Sequence, residues 1–248
     1  MTEYQDLKDK YSIIISYRDR EDHLTTLLPR LKELFQDKNY EIIIAEQDDQ
    51  DKFQKNSLYD IAALRATGDI LIFHDVDYYP TDNVDYYTNN SIPLYPVRQV
   101  LFLDKSNQPR NLQDIPGGYQ NFVNDVSDHS GGVFVLTKDL FIKVNGLNPY
   151  YKGWGKEDDD TRDRLRLLGY QWKRNQEGLF YGLYHTDNKP ADNDSDFINN
   201  HILLSNLHNT LNLGYRDIRA DVEEFSMENN IRWLKIKNFK YADRSINR

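Results

Sequence analysis

Three short runs rich in β-branched isoleucine, residues 11–16 (YSIIIS), 41–45 (EIIIA) and 70–73 (ILIF), with a helix-like segment between each and the next, constrain this chain most. Runs this apolar suit strands buried on both faces, and strands that alternate with helices require an α/β fold with a mainly parallel central sheet. Between the first two runs, Leu24, Leu27, Leu28, Leu31, Leu34 and Phe35 recur at three- and four-residue spacing, which predicts an amphipathic helix. Pro29 falls inside it and predicts a kink or an interruption. A helix is expected over residues 56–66, closed by Gly68, and others over 138–144, 158–168 and 197–211. The last carries an apolar stripe of Ile198, Ile202, Leu203, Leu207 and Leu211. Residues 97–103 and 231–236 read as further strands, and 104–128 is assigned no element. No repeat period and no low-complexity linker divides the chain, so one domain over residues 1–248 is expected.

Charge and composition exclude several function classes. Against 31 Lys and Arg stand 40 Asp and Glu, a formal net charge of −9, and no long basic run offsets it. Electrostatic capture of nucleic acid is therefore not expected. No apolar stretch approaches the roughly 20 residues that span a bilayer, and residues 1–10 are charged, without the apolar core of a secretory signal. The chain has no cysteine, which excludes disulfides, thiolate zinc sites and a cysteine nucleophile. A soluble, cytoplasmic protein without a transmembrane segment is the expectation.

Chemistry concentrates in four places. Phe73-His74-Asp75-Val76-Asp77 ends an apolar strand, and alternate residues of extended chain share a face, so Asp75 and Asp77 can converge where ligands of open α/β sheets sit. Two carboxylates there suit a hard divalent cation with a phosphate-bearing substrate, or are solvated turn residues before Pro80. Glu157, Asp158, Asp159 and Asp160 open a helix, where acids complement the dipole, and Asp158 with Arg162 and Asp160 with Arg164 have the spacing of ion pairs. Capping does not call for Trp154 between Gly153 and Gly155 just upstream. An aromatic ring on a glycine hinge beside carboxylates suits a sugar. His185 gains meaning as a metal ligand if it lies near Asp77. Arg18 and Arg20, beyond the first strand, either hold a diphosphate or pair with Asp19, Glu21 and Asp22. Gly131-Gly132 permits close backbone approach. The phosphate-loop signature is absent.

Taken in order, Ser16 to Leu24, Phe73 to Pro80, Ser130-Gly131-Gly132-Val133, Asn145-Gly146-Leu147, the block Gly153-Trp154-Gly155-Lys156-Glu157-Asp158-Asp159-Asp160, and His185 resemble the β-1,4-galactosyltransferase family, glycosyltransferase family 7. The resemblance runs over residues 12–187. It implies a GT-A fold, Rossmann-like and nucleotide-sugar-binding, and an inverting transfer of galactose or N-acetylgalactosamine from a UDP-sugar donor to a carbohydrate or glycoconjugate acceptor. It also implies Mn2+ or another divalent cation. In that resemblance Asp158 is the catalytic base. Arg18, Arg20, Asp75, Gly132 and Trp154 serve the donor, Glu157, Asp159 and Gly155 the acceptor, and Asp77 and His185 the metal. The donor part is then about residues 11–104, the acceptor and catalytic part about 128–190, and a C-terminal helix and strands 194–248. Residues 186–196 have the composition of a lid that orders over bound donor.

Two positions depart from the familiar members. Gly182 stands where they have a methionine, three residues before the ligand histidine, and His129 stands where they gate galactose against N-acetylgalactosamine. Lack of an anchor and of cysteine fits a bacterial or viral member. The alternatives are another GT-A transferase, such as a polysaccharide polymerase module or a polypeptide-type enzyme, and a non-catalytic sugar-binding protein.

Overall fold

The computed structural model describes residues 9–88, 92–110, 131–175, 177–186, 191, 193–228 and 230–243. The three isoleucine runs form β1 (Tyr11–Tyr17), β2 (Tyr40–Gln47) and β3 (Ile70–Asp75). The strands pair in parallel, with β1 between β2 and β3. Helix α1 (Glu21–Leu34) links β1 to β2, and α2 (Lys55–Arg65) links β2 to β3. Alternation sorts the side chains. Tyr11, Ile13, Ile15, Ile42, Ile44, Ile70 and Ile72 pack with Leu24, Leu27 and Leu31 of α1. Ile14, Ile43, Leu71 and Phe73 pack with Leu58, Ile61, Ala62 and Ala63 of α2 on the opposite face.

Helix α1 runs through Pro29. Both Pro29 and Thr25, whose carbonyl loses its i+4 donor there, lie on the exposed side, so water serves that carbonyl and the missing bond does not break the helix. The interruption expected at Pro29 is absent.

Next come β4 (Tyr78–Pro80), β5 (Leu94–Tyr95), β6 (Gln99–Phe102), β7 (Val133–Thr137), α3 (Lys138–Lys143), α4 (Glu157–Leu167), β8 (Lys173–Arg174), β9 (Leu179–Gly182), α5 (Ser195–Ser205), α6 (Leu207–Thr210), a 3-10 turn (Tyr215–Asp217), β10 (Ile218–Glu228) and β11 (Ile231–Tyr241). The large sheet has the order β10-β11-β2-β1-β3-β7-β5-β8, and β4-β9-β6 form a second, three-stranded sheet. In the large sheet β7 and β10 run against the other strands, so the expected mainly parallel character holds.

Sequence patterning misses β10, whose side chains are mostly exposed. It is a strand because it pairs antiparallel with β11, which in turn extends β2 in parallel. The helix expected over residues 197–211 is broken at Asn206 into α5 and α6. Its apolar stripe is not a core stripe: Ile198 and Ile202 are exposed, and the residue that α5 buries is Asn200. Asn200 spends its side chain on the backbone of Lys152 and Trp154, backing the Trp154 loop. Among the described residues no helix is long and apolar enough to cross a membrane.

Candidate active site

Because α1 covers one face of the sheet and α2 the other, direction across the sheet reverses at β1 and β3, and the loops at their carboxyl ends open on one crevice. Arg18 and Arg20 occupy the loop after β1, with Asp19 between them in the left-handed region at φ 52°. Of the two alternatives left open for Arg18, pairing with neighbouring acids is not what the structure shows. Its guanidinium donates to the Asp51 carbonyl at 2.6 Å and lies 5.4 Å above the Phe53 ring. Arg20 precedes the first turn of α1 and lies close enough to His185 to oppose its protonation.

Asp75 ends β3, its backbone N–H donating to the Gly132 carbonyl at 2.7 Å. The Tyr59 hydroxyl donates to its carboxylate at 2.7 Å. Burial, reinforced by Asp77, raises its proton affinity against the pull of Lys55. Asp77 meets His185 through the small sheet: β4 pairs with β9, and the Leu183 N–H donates to the Asp77 carbonyl at 2.8 Å, so the chain leaving β9 passes over Asp77. His185 Nε2 lies 3.1 Å from Asp77 Oδ2. Burial works against the Asp77 carboxylate, but the hydrogen bond and charge of His185, with His23 adding to them, together outweigh it and lower its pKa, while the bond to Asp77 raises that of His185. Two donors on one octahedral ion with bonds near 2.1 Å stand about 3 Å apart, so this pair fits a divalent cation. His185 Nδ1 is engaged with the Thr186 carbonyl at 3.0 Å, which leaves Nε2 to face a metal.

The acids of α4 do not act as one cap. Lys156 occupies the cap position in the left-handed region, and its side chain does not cap the helix's backbone N–H groups. Glu157 and Asp158 turn to Lys55, whose ammonium lies 2.9 Å from Glu157 Oε1, 2.8 Å from Asp158 Oδ1 and 3.5 Å from Asp75 Oδ2. Asp159 faces elsewhere, pairing with Lys156 and Arg162 at 3.1 Å each. Asp160 is buried with Arg164, at 2.9 Å, as its spacing predicts. The spacing of Asp158 with Arg162 does not set their pairing: Asp158 goes to Lys55, and Arg162 reaches Asp159 and Asp163. Burial, with Glu157 and Asp75 adding to it, pushes the Asp158 carboxyl up to about 8 even though Lys55 pulls it down.

Trp154 is 41% exposed, its ring stacked on Phe197 of α5 at 6.0 Å. Gly155, at φ 103°, would put a Cβ 3.4 Å from that same Phe197 ring. A Cβ on Gly132 would lie inside the Tyr78 ring, at 2.1 Å, so glycine there is required by Tyr78 as well as by a left-handed backbone. At Gly182 a Cβ would stand 2.5 Å from the ring of Phe102, its partner in register on β6, so an aromatic ring fills the space a longer side chain would need.

Sequence reasoning misses three residues. It leaves Lys55 outside the helix that this residue opens. The available signal is a cation in the first turn of a helix without acids there, where the dipole disfavours it. Tyr59 lies one turn further along. His23 has no role by sequence, yet its ring lies 6.4 Å from that of His185, with Nε2 on the Tyr184 carbonyl. His129, Ser130, residues 111–128, and residues 187–190 and 192 of the expected lid lie outside the described residues.

Comparison with known proteins bears on this crevice. The N-terminal region of glycosyl transferase group 7 matches residues 5–90, and a second family region, described as the N-terminal domain of galactosyltransferase, matches residues 119–186. The chain is 31% identical to β-1,4-galactosyltransferase 4 of Cricetulus griseus over 188 residues, 73% of this chain and 50% of that protein. It is 34% identical to a β-N-acetyl-D-glucosaminide β-1,4-N-acetylglucosaminyl-transferase of Lymnaea stagnalis over 182 residues, 71% of this chain and 34% of that protein. It thus spans half the length of the first relative and about a third of the second. A mutant of Drosophila β-1,4-galactosyltransferase 7, solved with manganese, UDP-Gal and xylobiose, superposes with a TM-score of 0.65 at 22% identity, covering 96% of each chain. That likeness is one of fold, the GT-A fold implied by the motifs.

Proposed function

The chain belongs to glycosyl transferase group 7, the β-1,4-galactosyltransferase family, and from that premise we propose that it transfers galactose or N-acetylgalactosamine from a UDP-sugar to a hydroxyl of a carbohydrate acceptor, with inversion. The observation that carries this reading is Asp158, a carboxyl pushed up to about 8, beside Glu157 and joined through Lys55 to Asp75. A general base works best when its pKa lies near the working pH. Asp158 accepts the proton of the acceptor hydroxyl as that oxygen attacks the anomeric carbon, the bond to the UDP oxygen breaks, and one displacement inverts the centre.

Asp77 and His185 would hold a divalent cation, Mn2+ or a similar ion, which supplies positive charge for the departing diphosphate. Arg18 and Arg20 add fixed positive charge at the same end of the sheet. Asp75 and Gly132 line the donor side. Trp154 offers an exposed ring to the apolar face of a sugar, and Gly155, Glu157 and Asp159 would serve the acceptor, Glu157 from the Lys55 side of α4 and Asp159 from the side that pairs with Lys156 and Arg162. In this reading the single domain divides its labour along the chain. Residues 11–104 hold the donor, 128–190 the acceptor and base, and 194–248 back the Trp154 loop and extend the sheet.

The test is UDP release from a panel of UDP-sugars, with Mn2+ or EDTA, with and without simple sugar acceptors. Metal-dependent release from one donor that rises with an acceptor is expected, and Asp158→Asn should lose on the order of a hundredfold or more while still binding UDP. Full activity in Asp158→Asn would sink the base assignment. UDP binding without release from any donor would sink the transferase.

A further inference from the structure

Lys55 is placed against two physical preferences. It opens α2, where the helix dipole disfavours a cation, and its side chain is only 10% exposed. Three carboxylates from two other elements hold it: Asp75 from β3, and Glu157 and Asp158 from the first turn of α4. Among the described residues Lys55 is the cation that Asp158 pairs with. Around that carboxylate the charged groups are therefore Lys55 from α2, Asp75 from β3 and its own neighbour Glu157, with the Tyr59 hydroxyl on the far side of Asp75.

We propose that Lys55 is a positioning residue that acts through Asp158: its ammonium, lodged among the three carboxylates, favours the ionised form of the base and aims it at the crevice so that it can take the acceptor's proton. The proposal rests on Asp158 being the base. Without Lys55, Asp158 stands partly buried beside two like charges and holds its own proton to a higher pH, and a protonated carboxyl is too weak a base to take the acceptor's. The direction of the effect agrees, since Lys55 is what pulls the carboxyl down against burial, Glu157 and Asp75. The ammonium in turn is held protonated, because the three carboxylates outweigh its burial.

The experiment is the pH profile of kcat/KM for the donor, which reports ionisations of the free enzyme, in wild type, Lys55→Met, Lys55→Arg and Glu157→Gln, with UDP affinity measured alongside. In Lys55→Met the acid limb should move alkaline by one unit or more, so that the rate at pH 7 falls roughly tenfold or more and recovers as the pH rises. Lys55→Arg, which keeps the charge, should hold the wild-type limb. Glu157→Gln, which removes a like charge, should move it the other way, and it supplies the test if Lys55→Met does not fold. Unmoved limbs in both Lys55→Met and Glu157→Gln overturn the proposal, as does a loss in Lys55→Met explained wholly by weaker UDP binding. Asp158→Asn separates the two layers of inference. If it is inactive while those limbs stay put, the base stands and Lys55 falls; if it is fully active, the base assignment itself falls.

Discussion

Gly182 shows how one position can be settled by its neighbour. The family resemblance puts a metal-coordinating methionine there, but β9 and β6 run in register so that Phe102 lies opposite, and even a Cβ would meet its ring at 2.5 Å. Replacing Gly182 with methionine should therefore cost about 1–3 kcal/mol from overpacking and should not tighten Mn2+ binding. Adding Phe102→Ala should recover stability and let the thioether reach the Asp77–His185 pair. Urea unfolding, with titration of the free Mn2+ resonance, checks both halves. The aromatic–glycine pairing is invisible in sequence, because residues 102 and 182 become neighbours through strand pairing alone. Lys55 is hidden for the same reason. Its partners lie 20 and about 100 residues away, and a lone lysine in the first turn of a helix signals an unusual cation without naming its partners. The Trp154 block is legible because its hinge glycines, its ring and its acids are consecutive in the chain.

The elements themselves are readable wherever burial imposes a period. The three isoleucine strands, α1, α2, α3 and α4 all fall within a few residues of their expected limits. The failures are exposed elements. Strand β10 has little apolar alternation, and what holds its hairpin to the sheet is partly polar. Glu41 on β2 accepts from Ser12 at 2.7 Å, from the Thr67 N–H at 2.6 Å and from Arg232 of β11 at 2.9 Å. These bonds overcome its burial and lower its pKa to about 2. A depressed carboxylate pKa stabilises the fold above the ordinary range near 4.5 and loses that contribution as the pH falls toward 2, so the effect amounts to about 3 kcal/mol at neutral pH. Glu41→Gln should be less stable than wild type by about that much at pH 7, and the gap should close between pH 4.5 and 2. Denaturant midpoints measured across that range test it. A gap that does not change with pH would mean that shape rather than charge secures the hairpin.

At the scale of the whole molecule, α4 ties the crevice to the C-terminal part of the chain. One side of its first turn carries Glu157 and Asp158 to Lys55, while the buried Arg164 pairs with Asp160 and donates to the carbonyls of Leu211 and Leu213 at 2.9 Å each. Arg164→Ala strands a buried carboxylate and two carbonyls, which should cost about 3–5 kcal/mol and lower Tm by on the order of 10 °C. Activity should fall with it, in contrast to Asp158→Asn, which should lose turnover without a comparable fall in Tm; calorimetry beside the transfer assay separates the two. The sequence by itself determined the α/β class, the strands that build the centre of the sheet and the motif order that marks the family, because buried periodicity and contiguous motifs are written along the chain. Only the tertiary structure decided which side chains meet: Asp77 with His185 through β4 and β9, Lys55 with three carboxylates, Phe102 over Gly182, and Asp159 turned toward Arg162 rather than Lys55. Those meetings depend on strand register and on the rotation of each helix about its axis, and neither is encoded at short range.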